Sequence, residues 1–210
     1  MNKKIYAAKN SILKQKKFYA FLATLMLIGI TFGVVLVFFL KDNDKKNVCD
    51  NINSFFYLIK TSKGINYGDS LLNSLLINIG YILIIWLLGI SIIGFPIIIG
   101  ILFFKSFVIG FSVSSIIMNY GIKGLFGAFL YLFPHQIILL IIYLLISFYS
   151  LSFCYKLFSH LFLKKTINFK YGMDKYIKIL IISISITILI SLYEVFISTY
   201  FMKFFTFLIK

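Results

Sequence analysis

The chain has 210 residues, of which 61% are hydrophobic and 19% aromatic, yet its formal net charge is +15. Only 13% of residues are charged, against about 25% in a soluble domain, so the ordinary soluble class is excluded. Disordered chains are excluded as well, because they are poor in aromatic and β-branched residues. All 21 cations are Lys, and the apolar background places the chain in a bilayer.

Residues 1–17 hold Lys3, Lys4, Lys9, Lys14, Lys16 and Lys17 and no acid. The uncharged run Phe18–Leu40 follows, long enough for a first membrane helix. It is too long for the apolar core of a cleavable signal and lacks a small-residue cleavage site, so it reads as a retained span. Residues 41–70 are polar, with an apolar patch at Phe55–Ile59, and predict a short interfacial helix followed by a turn over Gly64–Gly68.

Leu71–Met118 is apolar apart from Lys105 and has the length of two crossings. Gly94-Phe95-Pro96 supplies the break, because Pro removes a helical donor and biases its predecessor away from α space. Helices are therefore expected over 71–93 and 97–118. Residues 119–133 contain Gly121, Gly124 and Gly127 and predict either an interfacial helix or a re-entrant segment, the latter tolerated only under protein cover. A fourth span runs from Pro134-His135 to Phe158, a basic loop occupies 156–178, and a fifth span covers Ile179–Met202.

These features predict one all-α domain over 1–210, a polytopic bundle of about five transmembrane helices. The positive-inside rule orients it. With the N-terminus inside, thirteen Lys lie inward and eight outward, and Asp42, Asp44, Asp50 and Asp69 offset part of the outer charge. The expected topology is N-in and C-out, with 1–17 and 156–178 cytoplasmic and 41–70 extracytoplasmic. Continuous rather than alternating apolar runs exclude outer-membrane barrel strands. Anionic lipid, not nucleic acid, is the expected partner of the cytoplasmic Lys clusters.

Ionisable side chains inside spans are functional candidates. Ser183, Thr187, Ser191, Glu194 and Ser198 recur at helical spacing and form one polar face. At 1.5 Å per residue, Asn78 and Glu194 lie at similar depths below the outer surface, and a re-entrant 119–133 would bring His135 to that depth. Asn78, His135 and Glu194 thus form a candidate cluster, either a proton or ligand site or an interhelical hydrogen-bond clamp. Lys105 is expected to snorkel towards the inner surface. Gly29 and Gly33, and the Gly110/Ser114 pair, allow close helix approach and suggest a packing or partner face. Cys49 and Cys154 are not expected to pair, His160 reads as solvated, and no metal or cofactor is expected. HExxH, GxSxG, P-loop and GxGxxG signatures are absent, so no enzyme activity is expected. The single helix break, with no repeat to match it, lacks the paired pattern of transporters.

Three stretches carry a family resemblance: Leu75–Tyr81 (LLINIGY), Trp86–Pro96 (WLLGISIIGFP) and Leu102–Phe111 (LFFKSFVIGF). Together with the Pro134-His135 pair, Glu194 and the five spans, they resemble the stage II sporulation protein M family over roughly residues 18–205. Gly89, Gly94 and Pro96 in this block join Gly29, Gly33 and Gly110 as expected packing or partner-face positions. Where the wider family often has Gly and Glu after Pro-His, this chain has Gln136 and Leu139. The resemblance implies a non-enzymatic component of the engulfment machinery in the mother-cell membrane at the sporulation septum. Its implied partners are the peptidoglycan-degrading stage II sporulation proteins D and P. The leading expectation is a scaffold whose Gly29/Gly33 face recruits partner spans while 41–70 meets their outer domains. The alternative is a transporter or channel subunit using Asn78, His135 and Glu194.

Overall fold

A computed structural model describes residues 2–61, 66–131, 133–163, 169–198 and 200–201, with side chains over 16–58, 66–129, 134–162, 170–197 and 200–201. Six helices follow in order: α1 (Asn2–Phe39), α2 (Asp42–Thr61), α3 (Tyr67–Ile90), α4 (Gly94–Tyr131), α5 (Phe133–Leu163) and α6 (Phe169–Tyr193). A π-helical turn, Glu194–Ser198, extends α6. Among the described residues no strand occurs, and five helices, all but α2, are long and apolar enough to cross a membrane. The chain is an all-α polytopic membrane bundle. The core of the expected turn at 62–65, residues 164–168 of the basic loop and the tail beyond residue 201 lie outside the described residues.

The expected spans appear with shifted ends. The N-terminal basic segment continues α1 rather than preceding it, and the loop expected over 156–178 shrinks because α5 runs to Leu163 and α6 begins at Phe169. The break between α3 and α4 falls at Ser91–Ile93, ahead of the Gly-Phe-Pro triplet. Ser91 N–H donates to the Leu88 carbonyl at 3.0 Å and Gly94 N–H to the Ser91 carbonyl at 3.1 Å, closing a tight connection. Gly94 lies so close to the Leu88 carbonyl that a Cβ would collide with it. Pro96 stands in the first turn of α4, where its missing N–H costs nothing and its fixed φ suits a helix.

α5 is the central helix: 61% of its spanning window is buried, against 17–28% for the other four. Leu139, Tyr143, Ile146 and Leu151 of α5 meet Leu22 of α1, Ile82 and Ile85 of α3, and Ile98 and Leu102 of α4 in one core. The outward faces expose large apolar side chains, as lipid contact requires, among them Phe32, Leu76, Leu87, Phe104 and Leu189.

α1 and α4 form the most extensive helix pair. Gly29 and Gly33 pack against the backbone of Phe103 and Phe107, and Gly110 against that of Ile30. Ser114 Oγ donates to the Val34 carbonyl at 3.4 Å. Each contact advances four residues on both helices, so the pair is parallel. Gly29 and Gly33 thus form a packing face, one of the two readings of their spacing. The face is spent inside the chain, on the helix that carries the second small-residue pair.

Within residues 119–133 the chain turns back on itself. Gly121 adopts φ 57°, ψ −136°, a conformation that L side chains rarely take, and reverses the chain. Gly124 then lies against the backbone of Ile116 and Ile117, so residues 122–131 fold back along the helix they leave. Asn119 and Tyr120, just before the reversal, bond Asn53 of α2 at 2.8 and 2.7 Å. His135, just after the returning arm, lies level with residues about 10 Å inside α3.

The two ends of the bundle are distinct. Phe18 and Tyr19 of α1 pack on Phe148 of α5, beside Lys175 of α6, so the basic segments gather at one end. At the other end α2 meets α4, and Tyr67 of α3 stacks on Phe196 with centroids 5.7 Å apart. The first end is the one that the positive-inside rule expects on the cytoplasmic side.

Candidate intramembrane polar site

Polar side chains from four helices converge towards the end of the bundle that carries α2. Glu194 sits where α6 passes into its π turn. Such turns interrupt the i, i+4 ladder and recur at functional positions. Ser183, Thr187 and Ser191 carry the expected polar face of α6 into the interior, where each is less than 5% exposed.

The Glu194 carboxylate accepts from Ser74 Oγ at 2.6 Å, a length typical of hydroxyl–carboxylate bonds. Asn78 Nδ2 donates to Ser74 Oγ at 3.3 Å, and Tyr143 Oη donates to Asn78 Oδ1 at 3.1 Å. A single relay therefore links α6, α3 and α5. His135 Nε2 lies 3.9 Å from the other Glu194 oxygen, within ion-pairing range and beyond hydrogen-bond length. It also lies 3.3 Å from Gln136 Nε2. A neutral imidazole with an unprotonated Nε2 accepts from this amide, whereas an imidazolium turns the same atom into a donor facing Glu194. The ring thus has a partner in either protonation state.

Lys105 does not snorkel inward. Its ammonium lies 4.1 Å from the Tyr81 ring centroid and 5.5 Å from that of Tyr143. Aromatic faces attract a cation by about 0.5–2 kcal/mol, which offsets part of the cost of holding it within the bundle. Through Tyr143, α4 joins the network.

The structure thus brings Asn78, His135 and Glu194 together, but Asn78 and Glu194 meet only through Ser74. Sequence reasoning missed Ser74, Tyr143 and Gln136. The i, i+4 spacing of Ser74 and Asn78 was a visible signal; the reach of Tyr143, eight residues beyond His135 on α5, was not. Of the family-block positions, Gly89 lies where α3 meets Tyr176 and Ser150, and a Cβ there would collide with the Tyr176 hydroxyl. That hydroxyl donates to the Trp86 carbonyl at 2.7 Å and lies 2.8 Å from Ser150 Oγ. The Tyr176 ring is stacked between Trp86 and Phe153, with centroids 5.4 and 4.7 Å away.

Both cysteines are free, and among the described residues no group of His, Cys, Asp and Glu is placed to hold a metal ion. No curated protein and no solved structure matches the chain. The model of the stage II sporulation protein M family matches residues 22–199, from α1 through the π turn that presents Glu194, and the chain belongs to that family.

Proposed function

We propose that this multi-pass membrane protein is a non-enzymatic scaffold of the engulfment machinery at the sporulation septum. It positions peptidoglycan-degrading partners, stage II sporulation proteins D and P, from the mother-cell membrane. Family membership supports a role in sporulation, and the attachment of α2 supports a scaffold.

α2 is amphipathic and held to the outer end of α4. Asn53 accepts from Asn119 and Tyr120, and Phe56, 7% exposed, packs edge-on against Tyr120 at 5.6 Å. These bonds fix the helix, leaving Asp50, Ser54 and Leu58, spaced one turn apart, on its exposed face. A fixed face on the wall side of the membrane is what a partner with an outer catalytic domain needs. With Gly29 and Gly33 occupied by α4, α2 replaces α1 as the proposed docking element.

Replacing Asp50, Ser54 and Leu58 together with Ala should abolish co-purification of proteins D and P from sporulating cells while the melting temperature stays unchanged. Undiminished co-purification would refute α2 docking. The transporter reading draws on the Glu194 network, and full engulfment by a Glu194→Gln protein would count against it. The bonds of that network run from helix to helix, which favours the clamp.

A further inference from the structure

At the end carrying the basic segments, a cavity of about 100 Å³ opens between α5 and α6. Its walls include Tyr149, Ser152 and Lys156 from α5 and Gly172 and Lys175 from α6, above the stacked rings of Phe153 and Tyr176. The two Lys come from different helices and face one opening, and among the described residues no carboxylate lines it. Lys175 Nζ is 5.3 Å from the Tyr149 ring centroid, which draws the ammonium towards the α5 wall.

The cavity has room for a phosphate group. Two ammonium groups and the Ser152 hydroxyl supply donors for phosphate oxygens. Deeper in the bundle, Leu145 lies one turn from Tyr149 and Ile182 two turns from Lys175 on the same rows, and they are 38% and 57% exposed. Exposed apolar side chains therefore continue both helix rows away from the cavity. A free anion makes no use of such side chains, whereas the acyl chains of a phospholipid pack against them.

We propose that this cavity binds the phosphate group of an anionic phospholipid of the inner leaflet, with Lys156 and Lys175 as its two cationic contacts and the acyl chains along Leu145 and Ile182. The site is separate from α2 and the Glu194 network, so it stands or falls independently of the scaffold reading.

The test uses the purified full chain in detergent, titrated with phosphatidylglycerol, phosphatidylcholine of the same acyl composition, or inorganic phosphate, with thermal unfolding as readout. Phosphatidylglycerol should raise the melting temperature more than phosphatidylcholine does. Lys156→Gln with Lys175→Gln should weaken phosphatidylglycerol binding about 30-fold while leaving the melting temperature in phosphatidylcholine unchanged. Lys156→Arg with Lys175→Arg should retain binding, and so should an outer-end control, Lys41→Gln with Lys46→Gln. Equal shifts from the two lipids, or an undiminished phosphatidylglycerol effect in the Lys156/Lys175 Gln variant, would overturn the site. A full shift from inorganic phosphate with no further gain from phosphatidylglycerol would overturn the lipid as its occupant.

Discussion

Replacing Gly33 with Ala tests the α1–α4 interface most directly. An added Cβ would collide with the Phe107 carbonyl oxygen and lie 2.7 Å from the Phe111 amide nitrogen. Both are backbone atoms of a helix, so no rotamer change relieves the clash and the two helices must separate. Overpacking of this kind costs about 1–3 kcal/mol. The better helix propensity of Ala returns up to about 1 kcal/mol, so a net loss of about 1–2 kcal/mol is expected. The structure supplies matched controls, because a Cβ on Gly80 or Gly100 would meet nothing within 4 Å. Ala at either position should be neutral or stabilising by about 0.5–1 kcal/mol. Equilibrium unfolding in mixed micelles, titrated with sodium dodecyl sulfate, measures all three variants on one scale. The reasoning fails if Gly33→Ala is as stable as Gly100→Ala. It also fails if Gly33→Leu leaves the fold intact, since a larger side chain magnifies the same collision.

Three further outcomes use the same assay. Gly121→Ala should cost about 1–3 kcal/mol through backbone strain alone, since its Cβ meets no atom within 4 Å; a neutral result would remove the reversal at that residue. Tyr176→Phe should cost about 1–2 kcal/mol by deleting the hydroxyl shared with Trp86 and Ser150, and an unchanged midpoint would show that those bonds do not form. Glu194→Gln keeps an acceptor for Ser74 and should stay within about 1 kcal/mol of wild type, whereas Glu194→Leu, which breaks the relay, should cost measurably more; the reverse order would contradict the clamp.

The spans were legible because each is an apolar run of membrane length, a signal that depends on composition alone. What could not be read was whatever depends on a neighbour. Gly29 and Gly33 announced a close approach, and Gly110 and Ser114 another, but nothing in either stretch says that the two pairs meet each other. Pro96 was read as a breaker, although the same missing N–H makes it a suitable first-turn residue; hydrogen bonding through Ser91 and Gly94 decides between these roles. Lys105 was assigned to the inner surface by the reach of its stem, and only the positions of Tyr81 and Tyr143 redirect it. Tyr176 lay within a stretch that read as a polar loop, because its Lys neighbours dominate the local composition. In the fold it is 1% exposed and joins α6 to α3 and α5.

The bundle is joined by two kinds of physics, and they predict different sensitivities. α1 and α4 meet backbone to backbone over small residues, so their interface resists changes in charge and fails when volume is added. α3, α5 and α6 meet through side-chain bonds at Ser74, Asn78, Tyr143 and Glu194 towards one end and at Trp86, Ser150 and Tyr176 towards the other. That half tolerates small changes in volume at the network positions but not the loss of a donor or acceptor. Lys105 belongs to α4 and places its charge on the rings of Tyr81 and Tyr143, so it couples the Gly-packed pair to the polar half. A Lys105→Met variant keeps the stem and removes the cation, and it should leave the Gly33 penalty unchanged if that penalty is purely steric. If the two costs add within about 0.5 kcal/mol, the halves are independent; an excess in the double mutant would locate the coupling at this one side chain.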